Sequence, residues 1–152
     1  MKKCNLISND ECSLSISNDE IYLLRYVKPS YIINGDCSDA VLQLRDDRSP
    51  PEEYLSFHRG DGNNINSRIQ NVISILNGKK FNYSKNGGFL HINTLEIEDN
   101  VNKPRKLVEV KVENDPHYGI YFCSNSPVDI LEAKTTLLII SQFELIPKAS
   151  CS

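Results

Sequence analysis

Five side chains in this sequence could do chemistry together: two guanidinium groups, two imidazoles and one carboxylate. They are Arg25, His58, Arg59, Asp115 and His117. A guanidinium group binds phosphate through a planar fork of donors, and an imidazole beside a carboxylate can act as a general acid or base. If the five side chains meet in one cleft, this set predicts a small enzyme that acts on a nucleotide or nucleic acid.

Two of these residues also have structural explanations. Arg25 lies in the otherwise apolar segment 21–27, and a buried guanidinium needs a partner because its desolvation costs several kcal/mol. That partner is either a structural carboxylate, which is the commoner case, or a bound anion. Asp115 precedes Pro116, and a turn is the commoner explanation for such an Asp, ahead of a role in tuning an imidazole general base.

Other catalytic and cofactor sites are not predicted. Ser56 and His58 share one face of a strand, but their Cβ atoms would lie about 6–7 Å apart, too far for a nucleophile–base pair. The spacing of His58, His91 and His117 does not resemble that of a metal site. The sequence Asn86-Gly87-Gly88 lacks the spacing of a phosphate-binding loop. We therefore expect no metal ion and no cofactor.

Charge and cysteine content restrict the partners and the compartment. The 152 residues include 17 Lys and Arg against 20 Asp and Glu, for a net charge of −3. The basic residues are spread evenly, so a nucleic-acid partner is not expected. RNA binding through Tyr83, Phe89 and Tyr121 is a third hypothesis, which the acidic balance opposes.

The five cysteines form no CxxC pair, which is typical of unpaired thiols in a reducing cytoplasm. No apolar run has the length of a membrane span or a signal peptide, so we expect a cytoplasmic protein without membrane contact.

The elements that must position these side chains follow from periodicity and turn signals. Strands are predicted at residues 14–16, 21–27, 31–33, 40–44, 54–59, 89–97, 107–112, 118–123 and 145–146, with a proline-containing loop at 46–51. One helix carries the apolar stripe Ile65, Ile69, Val72, Ile73 and Leu76, with Asn63 or Asn64 as N-cap and Gly78 as a left-handed C-terminal cap. A second helix is predicted to start at Ser126, with Pro127 at N1 and Asp129 completing a capping box.

The order of strands, helix, strands, helix and strand predicts an α+β fold. We expect a single domain at residues 20–147, preceded by a polar arm at 1–19 and followed by a tail at 148–152. Short connections favour a mixed or mainly antiparallel sheet with both helices packed on one face.

Three short segments resemble the ordered signatures of a family of small, uncharacterised bacterial proteins. They are residues 24–30 (LRYVKPS), 55–59 (LSFHR) and 115–120 (DPHYGI). The resemblance implies a bacterial source and a single small domain, and it implies no activity for any residue.

The first functional hypothesis is a non-catalytic module that binds a protein partner. Its basis is the lack of a complete catalytic or metal-binding motif, together with the abundance of Tyr and Asn that suits interfaces. The expected setting is a bacterial cytosolic system of the kind that serves toxin immunity or phage defence. The nucleotide-directed enzyme described above is the alternative, and the sequence does not predict an oligomeric state.

Overall fold

The computed structural model describes residues 20–45 and 52–147. Its strands are β1 (Tyr22–Val27), β2 (Ile32–Ile33), β3 (Asp36–Cys37), β4 (Leu55–Arg59), β5 (Gly88–Asn93), β6 (Val108–Asn114), β7 (His117–Phe122) and β8 (Gln142–Leu145). Its helices are α1 (Ile65–Gly78), α2 (Thr94–Glu96) and α3 (Pro127–Ile140), with a π-helical turn at Ile97–Val101 and 3-10 turns at Pro29–Tyr31 and Asp39–Leu42. The predicted arm 1–19, its strand at 14–16, the loop 46–51 and the tail 148–152 lie outside the described residues.

Within the described ranges, six strands form one antiparallel sheet in the order β6-β7-β4-β1-β5-β8. The short strands β2 and β3 form a separate hairpin around Asn34 and Gly35, both of which have positive φ. Such a turn requires residues that tolerate the left-handed region, and the Asn-Gly pair supplies them. The predicted α+β single domain is confirmed.

The two long helices cover opposite faces of the sheet. Leu24 of β1 and Phe89 of β5 pack against α1, on the face called here the α1 face. Their neighbours Leu23 and Leu90 point the other way and belong to the larger core under α3, because successive strand residues alternate between faces. The prediction that both helices pack on one face is therefore wrong. A central strand that is apolar on both sides needs a cover on both sides.

Several local predictions also need correction. Residues 40–44 form no strand, because Ser38 caps a 3-10 turn by accepting a hydrogen bond from the Ala40 N–H. The strand predicted at 89–97 ends at Asn93, whose side chain caps the helical segment that follows. Ser126 does precede α3, but its side chain makes no capping hydrogen bond. Asp129 binds Arg105 instead, so the capping box predicted there is wrong.

The α1 helix follows its predicted pattern closely. Asn64 and Ser67 form a reciprocal capping box at its N-terminus, and Ile69, Val72 and Leu76 are buried. The left-handed cap predicted at Gly78 is wrong, because Gly78 is the last helical residue and the positive φ after the helix belongs to Lys80.

The cysteines differ from the prediction that all five are unpaired. Cys123 is disulfide-bonded, whereas Cys37 has a free thiol. Because disulfides are rare in a reducing cytoplasm, Cys123 does not support the predicted reducing compartment. In residues 20–45 and 52–147, no helix combines the length and the apolar character needed to cross a bilayer.

Candidate functional site

The sheet opens between its two central strands, β1 and β4. These strands pair at Leu23 with Arg59 and at Leu24 with His58, while β1 continues to pair with β5 along its whole length. Beyond Leu24 the strands separate. The Nη1 of Arg25 donates to the carbonyl oxygen of Ser56 at 2.9 Å, so a side chain occupies the gap where backbone groups would otherwise bond.

A cavity of about 630 Å³ lies at this opening. Its wall includes Arg25, Ser56 and His58, together with aromatic rings at Tyr26, Tyr31, Phe81, Tyr83 and Phe89. Phe81 is 45% exposed, whereas Phe89 belongs to the buried core. The cavity therefore combines aromatic and aliphatic side chains with charged and polar ones, and small-molecule sites likewise place polar groups within an apolar lining.

Arg25 is the charged group at the centre of this opening. Its Nε donates to the Val41 carbonyl oxygen at 2.7 Å, and its guanidinium lies 6.0 Å from the ring centroid of Phe57. Burial lowers the pKa of Arg25, and the attraction of Glu52 opposes that shift. Among the described residues, no carboxylate lies within ion-pair distance of Arg25. The guanidinium of Arg25 is thus hydrogen-bonded to two carbonyl oxygens and makes no ion pair with a carboxylate of the described residues.

His58 lines the cavity as a neutral imidazole. Its Nε2 lies 3.2 Å from the Nζ of Lys79, which can only donate. Burial, followed in size by the charges of Lys79 and His117, lowers the pKa of His58 to about 4. At neutral pH His58 therefore accepts a hydrogen bond from the Lys79 ammonium and carries no charge.

His117 lies behind His58 and contacts Ser56. The two imidazole rings stack with their centroids 5.2 Å apart, because His58 and His117 are directly opposite in the β4–β7 ladder. The Oγ of Ser56 lies 2.7 Å from Nε2 of His117. Burial and Lys79 lower the pKa of His117, although Glu113 opposes the shift.

Arg59 and Asp115 do not join this group. They form an ion pair with each other, and Arg59 also pairs with Asp61 at 3.2 Å. Arg59 follows His58 along β4, so its side chain leaves the opposite face of the sheet. Of the five residues predicted from sequence, Arg25 and His58 share the cavity, His117 adjoins it, and Arg59 and Asp115 lie apart.

Sequence reasoning missed the Ser56–His117 contact and the contribution of Lys79. Ser56 and His58 lie two positions apart on one strand and do not pair. The imidazole that reaches Ser56 belongs to His117 on β7. No local pattern indicates this contact, since it depends on the register of two strands that are distant in sequence. No local pattern indicates that the Lys79 ammonium reaches His58.

Replacing Lys79 with methionine is expected to raise the pKa of His58 from about 4 towards the ordinary value of 6.5, because a neighbouring positive charge disfavours the imidazolium. Burial keeps the new pKa below 6.5. In the wild type, the folded pKa lies below the unfolded one, so this contribution to stability is complete above about pH 6.5 and is lost as the pH falls towards 4. The variant should lose less stability over that range. NMR titration of the imidazole resonances measures the shift.

The matched control is Lys80→Met, which removes the same charge from the adjacent exposed residue. It should leave the pKa of His58 within a few tenths of the wild-type value. An equal effect of both substitutions would contradict the specific contact between Lys79 and His58.

In the part of the chain that the structure describes, no three His, Cys, Asp or Glu side chains come together as a metal site. No family model matches the chain, and comparisons with curated proteins and with solved structures found no match either. The cavity and the Ser56–His117 pair are therefore the features from which a function can be inferred.

Proposed function

We propose that this protein binds a small anionic ligand with a planar aromatic group, of the nucleotide class, in the cavity between β1 and β4. The observation that carries the proposal is the Arg25 guanidinium, which lines the cavity without a carboxylate partner among the described residues. Two carbonyl oxygens accept hydrogen bonds from this guanidinium, but they carry no net charge, and a partly buried charge is costly unless it is compensated. A bound phosphate or carboxylate would supply the compensation through a bidentate contact.

The charges around the cavity favour an anion. Arg25, Lys28 and Arg45 contribute positive charge, and Glu52 is the one carboxylate among the described lining residues. Glu52 is partly engaged, because its Oε1 accepts a hydrogen bond from the Arg45 backbone N–H at 2.7 Å. Among the described lining residues, positively charged side chains outnumber the single carboxylate, although the whole chain has a net charge of −3.

The rings around the cavity favour a planar group. Tyr26 makes edge contacts with Phe81, Tyr83 and Phe89, at centroid distances between 5.8 and 6.2 Å. Aromatic side chains bind a nucleobase by stacking, which contributes about 1–3 kcal/mol per base. The cavity volume of about 630 Å³ lies within the roughly 300–1,000 Å³ of small-molecule sites. Size, rings and charge together fit one nucleotide.

A thermal-shift and calorimetry panel tests the proposal. It compares ATP, GTP, CTP and UTP with their nucleosides and with inorganic phosphate. We expect at least one nucleotide to stabilise the protein, by about 2.7 kcal/mol at a concentration of 100 Kd. The nucleoside and phosphate alone should bind at least tenfold more weakly, since each reaches one part of the site. Absence of binding across the panel at millimolar concentration would contradict the proposal.

Protein-partner binding in a bacterial cytosolic defence system stays a prediction. The observation that favours it is the outer side of α3, where Val128, Leu131 and Ile139 are exposed, since exposed apolar side chains on one helix are typical of contact surfaces. The cavity carries the stronger argument, because its charge and rings specify a ligand chemistry, whereas the apolar surface of α3 specifies no partner.

A further inference from the structure

The Ser56 hydroxyl and the His117 imidazole have the arrangement of a nucleophile and its base. The Ser56 Oγ and His117 Nε2 are 2.7 Å apart, within the range of an activated hydroxyl–imidazole pair. His117 lies at the start of β7 and Ser56 near the start of β4, so two strands of a rigid sheet hold the pair. The lowered pKa of His117 keeps the imidazole neutral at pH 7, and its Nε2 can then accept the hydroxyl proton.

The surroundings hold the imidazole ring in place. His58 stacks on one side of His117 at 5.2 Å, and the Tyr54 ring lies 5.8 Å away. Gly119 is the residue directly opposite Ser56 in the β4–β7 ladder. A Cβ at Gly119 would lie 2.6 Å from the Tyr54 ring, so glycine is what allows Tyr54 to pack beside this pair.

Ser56 also connects the pair to the cavity. It lines the cavity, and its own carbonyl oxygen accepts a hydrogen bond from Arg25 at 2.9 Å. An anion bound by the Arg25 guanidinium would therefore lie next to Ser56. The reacting bond of a substrate held by Arg25 would be placed in this part of the cavity, near Ser56.

We propose that Ser56 is a nucleophile and His117 its general base in the hydrolysis of an acyl ester whose alcohol part carries the anionic group. The position of the substrate rests on the proposed ligand site; the reactivity of Ser56 does not. The Ser56 Oγ forms a bond to the carbonyl carbon while its proton passes to His117 Nε2. The ester C–O bond then breaks, and the leaving oxygen takes that proton. Water, deprotonated by His117, cleaves the acyl-serine, and the proton returns to Ser56.

The test is covalent labelling of the full chain with diisopropyl fluorophosphate, followed by intact mass measurement and peptide mapping. We expect one adduct, on Ser56, and no adduct at this position in Ser56→Ala. The control Ser141→Ala should label at the wild-type rate. The Ser141 hydroxyl also makes a 2.7 Å hydrogen bond, but to the Leu138 carbonyl oxygen rather than to an imidazole.

The role of His117 is tested separately. His117→Ala is expected to label at least 100-fold more slowly, and added imidazole should restore part of the rate. A purely structural role of His117 would not be rescued by imidazole. Should His117→Ala fail to fold, His117→Gln provides the same comparison at closer side-chain volume.

The outcomes separate the two proposals. Absence of a Ser56 adduct in a protein that binds the nucleotide panel overturns the nucleophile and leaves the ligand site intact. A Ser56 adduct in a protein that binds no member of the panel supports the nucleophile and contradicts the ligand site. An adduct on another serine at the same rate also overturns the nucleophile.

Discussion

Replacing Arg25 with methionine is expected to weaken binding of the strongest nucleotide in the panel by about 100-fold. The guanidinium would make charge-assisted hydrogen bonds to the anionic group, and removing one partner of a buried charged contact costs about 2–5 kcal/mol. Tenfold in affinity corresponds to about 1.4 kcal/mol. Arg25→Lys should lie between the variant and the wild type, because lysine keeps the charge but loses the planar fork. Isothermal titration calorimetry measures all three affinities.

The same substitution separates a ligand-binding role from a structural one. Methionine removes the desolvation cost of the guanidinium, but it leaves the carbonyl oxygens of Val41 and Ser56 without their donor. An unsatisfied acceptor costs about 1–3 kcal/mol, and the relieved desolvation offsets part of that cost, so the free energy of unfolding of the ligand-free protein should fall by about 1–3 kcal/mol. A loss of several kcal/mol with unchanged nucleotide affinity would contradict the proposed role.

Arg105→Met is the matched control for this experiment. Arg105 pairs with Asp129 and Glu132 and does not line the cavity. The variant should bind the nucleotide with wild-type affinity. Equal losses in Arg25→Met and Arg105→Met would mean that overall charge, rather than the cavity, determines binding.

Replacing Leu137 with alanine is expected to lower the free energy of unfolding by about 3 kcal/mol. Leu137 is 0% exposed and belongs to the core between α3 and the sheet. Truncating a buried leucine removes apolar contacts and leaves a cavity, which costs about 2–5 kcal/mol. Since the whole stability of a domain is about 5–15 kcal/mol, the loss should be evident in urea unfolding monitored by circular dichroism.

Leu131→Ala on the same helix is the control. Leu131 is 59% exposed, so the substitution makes the same change in side chain and helix propensity without emptying the core. Its effect should remain within about 0.5 kcal/mol. Similar losses for Leu131 and Leu137 would contradict the packing of α3 on the sheet.

The α+β class and the long helices were predictable because their signals are local. The stripe of Ile69, Val72 and Leu76 repeats with the helical period, and Asn64 caps the same helix a few residues earlier. A helix closes its hydrogen bonds within its own segment. Local residue types therefore carry most of the information that decides where such a helix forms.

The candidate site was only partly predictable. The charge of Arg25 inside an apolar strand marked it as a residue that needs a partner, and the structure places it in the cavity. Arg59 and Asp115 have equally suggestive chemistry, yet they pair with each other. Residue type alone does not distinguish these two outcomes, because each depends on which face of the sheet the side chain leaves.

The sequence by itself determined the α+β class, the two long helices, most strands of the sheet and the residue types able to bind an anion. Tertiary structure alone decided that β1 and β4 separate after Leu24, that α1 and α3 cover opposite faces, and that His117 rather than His58 reaches Ser56. The physical reason is the range of the interactions. Side-chain periodicity encodes which face of a strand is apolar, whereas strand order and register depend on packing between segments that are distant in sequence.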